Sequence, residues 1–482
     1  MNILIEKQDE VFMKVDCEDA GILMELSEYF TFKVPGAEFM PSFRNRMWDG
    51  KIRLFNMWTQ QLYIGLHQHL EDFCNSRGYK LFGKDRTIAI SDISTEDVVK
   101  ALLDLNLPFN PRNYQVDAIR DGLNNKRLVM LSPTGSGKSL IIYGLTQLGT
   151  TGNVLIVVPT TSLVEQMYKD FKDYGYDVEA NCHKIYSGHD KETDKRIVIT
   201  TWQSVYKLPK TWFTKFSMVI GDEAHLFKAT SLKTLMEKTV NANMRFGTTG
   251  TLDDTKTHKL MLEGLFGPVK RFTTSKQLMK DGSLAKLKIN CLVLDYDDDI
   301  RQANKKLSYQ EEMDFLVSHE PRNRFIRNLA IDQTGNTLLL FQYVEKHGQI
   351  LYDMITNKTE NRNIFFVHGG IDAKDREKIR EITEKSNDAI IVASYGTFST
   401  GINIRNLHNI IFASPSKSKI RNLQSIGRGL RLGDNKEEAQ LFDISDDLSW
   451  KAHRNYTLEH AVERIKIYNE EKFKYKNIKV KI

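Results

Sequence analysis

Two α/β domains in tandem, each built on a parallel sheet, are what this sequence predicts, with a small N-terminal α+β module ahead of them and a short helical C-terminal tail behind. Three observations carry that reading. Short apolar runs bounded by glycine or proline alternate with helical stretches, first over residues 95–285 and again over 286–450. One run, Leu128-Val-Met-Leu131, passes through a glycine-bearing loop straight into a helix beginning near Lys138. Residues 1–94 lie ahead of that alternation, and residues 451–482 are Lys-rich with a helical pattern.

A chain of 482 residues is too long for one core. With 41% apolar and 27% charged residues it has the composition of an ordinary globular protein, which excludes wholesale disorder. Cys17, Cys74, Cys182 and Cys291 are scattered without a CxxC pair, fitting a reduced cytosolic protein with neither disulfide framework nor zinc site. No apolar run approaches a membrane span and the first ten residues lack a signal-peptide pattern, so a soluble cytoplasmic protein without a membrane partner is expected. The net charge of +6 decides little until it is located.

The stretch Ser132-Pro-Thr-Gly-Ser-Gly-Lys-Ser139 organises the chain. Gly135 and Gly137 let the backbone around Thr134 and Ser136 curl so that N–H groups point at phosphate oxygens. Lys138 adds a mobile cation for the β- and γ-phosphates, the Ser139 hydroxyl can ligate Mg²⁺, and the helix start adds partial positive charge. Ser132 stands where the GxxxxGK[ST] pattern has its first glycine. Ser217-Met-Val-Ile-Gly-Asp-Glu-Ala-His225 is the second anchor: an apolar strand delivers Asp222 to Mg²⁺ and Glu223 to the attacking water. ATP and Mg²⁺ are the cofactors this pair implies.

Ahead of the loop, Pro111-Arg-Asn-Tyr-Gln115 opens an amphipathic helix. A glutamine can pair with the N6/N7 edge of adenine, so Gln115 is a candidate base reader with Arg112 beside it. Two further strands end in hydroxyls, Asn153–Pro159 followed by Thr160, Thr161 and Ser162, and Arg196–Thr200 followed by Thr201, Trp202, Gln203 and Ser204. Strand ends of a doubly wound sheet share one edge, and small hydroxyls there suit a phosphodiester backbone. Phe246-Gly-Thr-Thr-Gly-Thr251 adds a hydroxyl-rich turn suited to linking hydrolysis with strand contacts. Asp253–Lys288, rich in breakers, reads as the end of one domain and a linker, and the acidic run Asp295–Asp299 as a solvated loop.

The second α/β domain lacks a phosphate loop but carries Ser399-Thr-Gly-Ile-Asn403 and Gln424-Ser-Ile-Gly-Arg-Gly-Leu-Arg431. Arg428 and Arg431 fall on one face of a predicted helix and could neutralise charge on a phosphate held by a neighbouring domain. Between Arg405 and Lys436 seven Lys/Arg stand against one Asp, so the positive charge is concentrated here. In the N-terminal module, Arg44, Arg46, Lys51 and Arg53 interleave with Phe43, Trp48 and Phe55 around a predicted Asp49-Gly50 turn between two strands. Cations for phosphates and rings for stacking compose a nucleic-acid surface; the competing reading is a hairpin with aromatic core and solvated cationic face.

Arg112/Gln115, Ser132–Ser139, Pro159-Thr-Thr161, Thr200-Thr-Trp-Gln203, Asp222-Glu-Ala-His225, Gly247–Thr251, Ser399–Gly401 and Gln424–Arg431 appear in the order of superfamily 2 helicase motifs, and the chain resembles that superfamily. The spelling Gln-x-x-Gly-Arg-Gly-Leu-Arg is similar to the DNA-acting branch, the XPB-like and restriction-translocase relatives. Trp48–Arg53, Ala393–Gly401 and Lys417–Lys419 are closer still to a bacteriophage recombination helicase. The resemblance implies two RecA-like domains with ATP between them. Lys138, Ser139, Asp222 and Glu223 would come from the first, and Gln424, Arg428 and Arg431 from the second. It assigns Thr160, Thr161, Thr201, Trp202, Gln203, Thr400 and Gly401 to the DNA strand, and favours a DNA role for Arg44, Arg46, Trp48, Lys51 and Arg53. It further implies 3′→5′ unwinding of forks, Holliday junctions, D-loops and R-loops in phage recombination, repair and replication within the host cytoplasm. Single-stranded and branched DNA would then be the partners, with room for RNA–DNA hybrids and for accessory recombination or single-strand-binding proteins. Asn403 departs from the aspartate many members carry there. The rivals are an RNA helicase and a non-catalytic nucleic-acid scaffold.

Overall fold

The computed structural model describes residues 2–83, 91–252, 255–401, 404, 406–414, 418–430, 436 and 438–482, with backbone alone at 228, 256–257, 373, 399–401 and 420. Its residues divide into two compact units, Met1–Ser132 with Gly137–Phe272, and Pro133–Ser136 with Thr273–Ile482.

The N-terminal strands are β1 (Asn2–Lys7), β2 (Phe12–Asp16), β3 (Thr31–Lys33), β4 (Lys51–Arg53), β5 (Phe55–Asn56), β6 (Gln61–Tyr63) and β7 (Lys80–Gly83). Five make a mixed sheet in the order β5-β6-β2-β1-β7, while β3 and β4 pair antiparallel. The first large sheet contains β8 (Arg127–Leu131), β9 (Asn153–Val158), β10 (Cys182–Ile185), β11 (Ile197–Thr201), β12 (Phe216–Asp222), β13 (Met244–Thr249) and β14 (Val269–Arg271). All are parallel, in the order β10-β11-β9-β12-β13-β8-β14. Their residues are buried on both sides, as parallel strands sandwiched by helices must be. Alternate residues supply two cores: Val129, Leu155 and Val219 face one, and Leu128, Met130, Ile156 and Ile220 the other.

The second unit repeats the plan with β15 (Lys286–Asp295), β16 (Thr337–Phe341), β17 (Ile364–Val367), β18 (Ile390–Ser394), β19 (Asn409–Phe412), β20 (Glu438–Asp447) and β21 (Tyr475–Lys481). These too are all parallel, in the order β17-β18-β16-β19-β20-β15-β21. Two buried ion pairs organise its interior: Arg322 on Asp446, with the Tyr296 hydroxyl donating to the same carboxylate, and Arg464 on Asp443, joined by Tyr468.

Three expectations need correction. The Asp49-Gly50 pair does not turn one strand into the next. The partner of β4 is β3, with Lys33 opposite Lys51, and residues 34–50 form a long loop containing a helical turn, Pro41–Arg44. Proline at the first helical position favours that turn. The tail is not helical throughout. After the helix Tyr456–Glu470 the chain enters β21 beside β15, because Ile478, Val480 and Ile482 alternate with Asn477, Lys479 and Lys481 at the period of a strand. The acidic run is structural, since Asp295 pairs with Lys479 at 3.0 Å and Asp297 with Lys481 at 3.2 Å, holding that edge strand. β14, at one edge of the first sheet, lies within residues 253–288.

The N-terminal module is built into the first unit. Its core residues Tyr63, Ile64 and Leu66 share one hydrophobic cluster with Leu260, Met261 and Phe266. The buried Arg127 at the start of β8 donates to both the carbonyl and the carboxylate of Glu10, each at 2.7 Å, and the Tyr63 hydroxyl donates to Glu237 at 2.5 Å. Backbones touch as well: a Cβ on Gly65 would lie 2.0 Å from the carbonyl oxygen of Glu263. Gly65→Ala is therefore expected to force this seam apart at a cost of about 1–3 kcal/mol or more. It should lower the thermal midpoint and open the segment near residue 65 to limited proteolysis. An unchanged melt and digestion pattern would show that the seam is not needed.

Candidate active site

β12, β13 and β8 are consecutive neighbours in a parallel sheet, so their last residues emerge together at one edge. From β8 the chain enters the loop, anchored where the Ser132 N–H donates to the Thr249 carbonyl at 2.9 Å. Gly135 (φ +83°) and Gly137 (φ +76°) occupy the left-handed region, and Gly137 caps the helix Lys138–Leu148. A Cβ on Gly137 would lie 2.5 Å from the Gln115 amide nitrogen, so the loop has room for backbone only.

Gln115, 4% exposed, is the strut beneath the loop. Its side-chain oxygen accepts from the Arg112 N–H at 2.8 Å and its amide donates to the Gly137 carbonyl at 3.4 Å. The Arg112 guanidinium donates to the Tyr114 hydroxyl at 3.0 Å. Lys138 folds back to donate to the Ser132 carbonyl at 3.4 Å, and Ser139 is in hydrogen-bond contact with Tyr174. The Ser132 hydroxyl is buried with no hydrogen-bond partner among the described residues. A left-handed glycine cradle, a lysine at its mouth and a spare buried hydroxyl fit a nucleotide triphosphate.

Asp222, last in β12, sits opposite Thr248 of β13 in register and accepts its hydroxyl hydrogen bond at 2.7 Å. Burial, with the Glu223 charge beside it, pushes this carboxyl above the usual aspartate range; Lys138 and the Thr248 hydrogen bond pull it back. Glu223 takes a left-handed backbone (φ +52°, ψ +51°), uncommon for a residue other than glycine. His225 Nδ1 lies 3.3 Å from the Glu223 carboxylate and 2.9 Å from the Thr249 hydroxyl, and that hydroxyl donates to the Thr251 carbonyl at 2.9 Å. From the sequence, His225, Thr248 and Thr249 were named only within their motifs, the threonines in a turn expected to link hydrolysis with strand contacts, and none was given a role of its own. The signal was present in the histidine two residues after Glu223 and in the paired threonines closing β13.

The other sequence candidates fall differently. At the same sheet edge Thr160 caps the helix Thr161–Asp173, and Thr161 and Gln203 are exposed. Thr201 is buried with its hydroxyl on Ser204 at 2.9 Å, so it shapes the strand end instead of presenting a donor; Trp202 lies edge-on to Tyr206. In the module Arg44, Arg46, Lys51 and Arg53 are exposed, Arg53 paired with Asp49 at 2.5 Å. In the second unit Gln424 and Arg428 lie on the helix Lys419–Gly429, and the Arg428 guanidinium stands 5.5 Å over the Phe398 ring. Thr400 and Gly401 are described as backbone, within the helix Tyr395–Gly401. Arg431, Asn403 and Lys417 lie outside the described residues. No cluster of three or more acidic, histidine or cysteine ligands exists among the described residues, so a cation here would share its ligands with nucleotide phosphates.

Three family models match in series: "DNA helicase UvsW, N-terminal" over residues 2–83, "Type III restriction enzyme, res subunit" over 108–254, and "Helicase conserved C-terminal domain" over 321–433. The ATP-dependent DNA helicase uvsW of Enterobacteria phage T4 is 36% identical over 98% of this chain and 99% of its own length. The chain belongs to the UvsW family of DNA helicases. The crystal structure of T4 UvsW covers the whole of both chains with a TM-score of 0.53 at 34% identity. A more distant relative, the DNA 3′-5′ translocase XPB2 of Sulfurisphaera tokodaii, is 26% identical over 69% of this chain and 81% of its own. The two parallel sheets are accordingly RecA-like domains.

Thr248→Val removes a hydrogen bond that favours the charged form of Asp222. The carboxyl should then rise further above the usual aspartate range. A Mg²⁺-holding role for Asp222 would need this group ionised, so the acid limb of the pH profile for ATP hydrolysis is expected to move to higher pH in the variant. Superimposable profiles would show that Thr248 does not control Asp222.

Proposed function

We propose that this protein is an ATP-dependent DNA helicase and translocase that unwinds and remodels branched DNA, including forks, Holliday junctions, D-loops and R-loops, during phage recombination, repair and replication. The observation that carries the reading is that Ser132, Lys138, Asp222 and Glu223 lie along one strand edge of a unit that also bears the cationic N-terminal module.

In this reading the Thr134–Gly137 backbone and Lys138 hold the triphosphate, while Gln115 and Arg112 serve the adenine side of the loop. Ser139 and Asp222 would hold Mg²⁺, whose charge offsets that of the phosphates during transfer. Glu223, on its left-handed backbone, orients the attacking water and takes its proton. His225 keeps the Glu223 carboxylate in place and links it through Thr249 to the strand edge where Thr160, Thr161 and Gln203 meet DNA. Arg428, with Gln424 on the same helix, and Arg431 would supply positive charge to the transition state.

Glu223→Gln and Arg428→Ala are both expected to bind ATP normally and to lose turnover, the arginine variant by roughly 10³-fold. Nucleotide binding and steady-state hydrolysis measured side by side decide it: a collapse of affinity in the first would make Glu223 a binding residue, and an unchanged rate in the second would remove Arg428 from the chemistry. Strand displacement on forked DNA, four-way DNA and an RNA–DNA hybrid tests the substrate class. Hydrolysis stimulated by RNA but not DNA would favour an RNA helicase, and no hydrolysis with either would leave a scaffold.

Replacing Arg44, Arg46, Lys51 and Arg53 together with Ala should weaken branched-DNA binding and flatten its salt dependence. Each phosphate that the protein no longer neutralises lowers the log–log slope by roughly 0.7–0.9. Hydrolysis at saturating single-stranded DNA should survive. An unchanged slope would make these cations a solvated face.

A further inference from the structure

Residues 34–50 of the N-terminal module are more than a connection between β3 and β4. The Val34 N–H donates to the Gly50 carbonyl at 2.8 Å, so the loop is closed at its base. Inside it Ala37 is fully buried, and a Cβ on Gly50 would come within 3.0 Å of both Ala37 and Phe43. The Arg44 guanidinium donates to the Glu38 carbonyl at 3.2 Å, and Arg46 holds a left-handed backbone (φ +55°) without being glycine. A loop with its own small core and a strained residue is a built object of the kind that carries function.

What it presents to solvent is unusual. Phe39 is 71% exposed and Met47 76% exposed, at the two ends of the single helical turn Pro41–Arg44, with Met40 beside them at 41%. Around them stand the exposed cations Arg44, Arg46, Lys51 and Arg53, against Glu38 and the already paired Asp49. Trp48, the ring singled out from the sequence, is half-buried with its indole N–H donating to the Lys51 carbonyl, so it supports the loop from within. Large apolar side chains projecting from a cationic surface match the chemistry by which proteins insert between base pairs: cations grip phosphates while the apolar group enters a step that has come unstacked. A branch point supplies such a step at little cost.

We propose that Phe39 and Met47 form a wedge that enters the branch point of junction DNA, with Arg44, Arg46, Lys51 and Arg53 holding the flanking phosphates. This rests on the branched-DNA reading above and adds the residues that select the branch. The wedge belongs to the same unit as Lys138, Asp222 and Glu223, and the Arg127–Glu10 and Gly65–Glu263 contacts seat its module there.

The test is the Phe39→Ala/Met47→Ala double variant, alongside a bulk-preserving Phe39→Trp/Met47→Leu control. Each is titrated onto a fork carrying 2-aminopurine at the branch point and onto linear duplex of equal length, without nucleotide. Wild type and control are expected to raise the fluorescence as the probe unstacks. The alanine variant should lose that rise and roughly tenfold of the preference for fork over duplex. Its melting temperature and its hydrolysis at saturating single-stranded DNA should match wild type, because both side chains face solvent. Retention of the fluorescence rise and the preference in the alanine variant, or a wild type that prefers the fork without unstacking the probe, overturns the wedge. A wild type with no preference for fork over duplex would overturn the branched-DNA reading instead.

Discussion

Five buried residues, Arg127–Leu131, hold the first unit to its task. A parallel strand of this length spans about 17 Å, and its two ends do different work. At the N-terminal end the buried Arg127 guanidinium donates through one nitrogen to the carbonyl and the carboxylate of Glu10 of the module. Leaving that cation buried without its partner would be strongly unfavourable, so the module is obliged to stay. At the C-terminal end the strand hands over to Ser132 and the glycine loop, whose direction is set by the Ser132–Thr249 hydrogen bond to β13. The module and the nucleotide edge are therefore opposite ends of one rigid element.

Charge at the catalytic edge is controlled by register. Because Asp222 and Thr248 are paired across β12 and β13, the hydroxyl that steadies the buried carboxylate is delivered by the sheet itself. Glu223, one residue further on, leaves the extended backbone for the left-handed region, and its carboxylate lies beside His225, which also contacts Thr249. Two adjacent acids in the sequence thus acquire distinct surroundings, the condition for distinct roles.

The second unit solves the burial of charge in another way. Arg322 with Asp446 and Arg464 with Asp443 are buried ion pairs whose spare acceptors are filled by Tyr296 and Tyr468. They lock β20 to the helices that carry the arginines. The acidic residues after β15, paired with Lys479 and Lys481, do the same for the last strand at the protein's surface.

The sequence by itself determined the two parallel sheets and the glycine loop that follows β8. Parallel strands buried on both faces must be written as short apolar runs, and a phosphate loop must spell its glycines, lysine and hydroxyl consecutively; both signals are local. Only the tertiary structure decided the rest, because it depends on residues distant in the chain. Gln115 is read from sequence as a base-facing residue, yet its seat under Gly137 depends on a helix 22 positions earlier folding back. The pairing of β4 with β3 across a closed loop replaced the expected hairpin, and β21 became a sheet strand because β15 offered an open edge. Exposure is the least local property of all. Trp48 and Phe39 look alike in sequence, and only the closing of the 34–50 loop turned the first inward and the second to solvent.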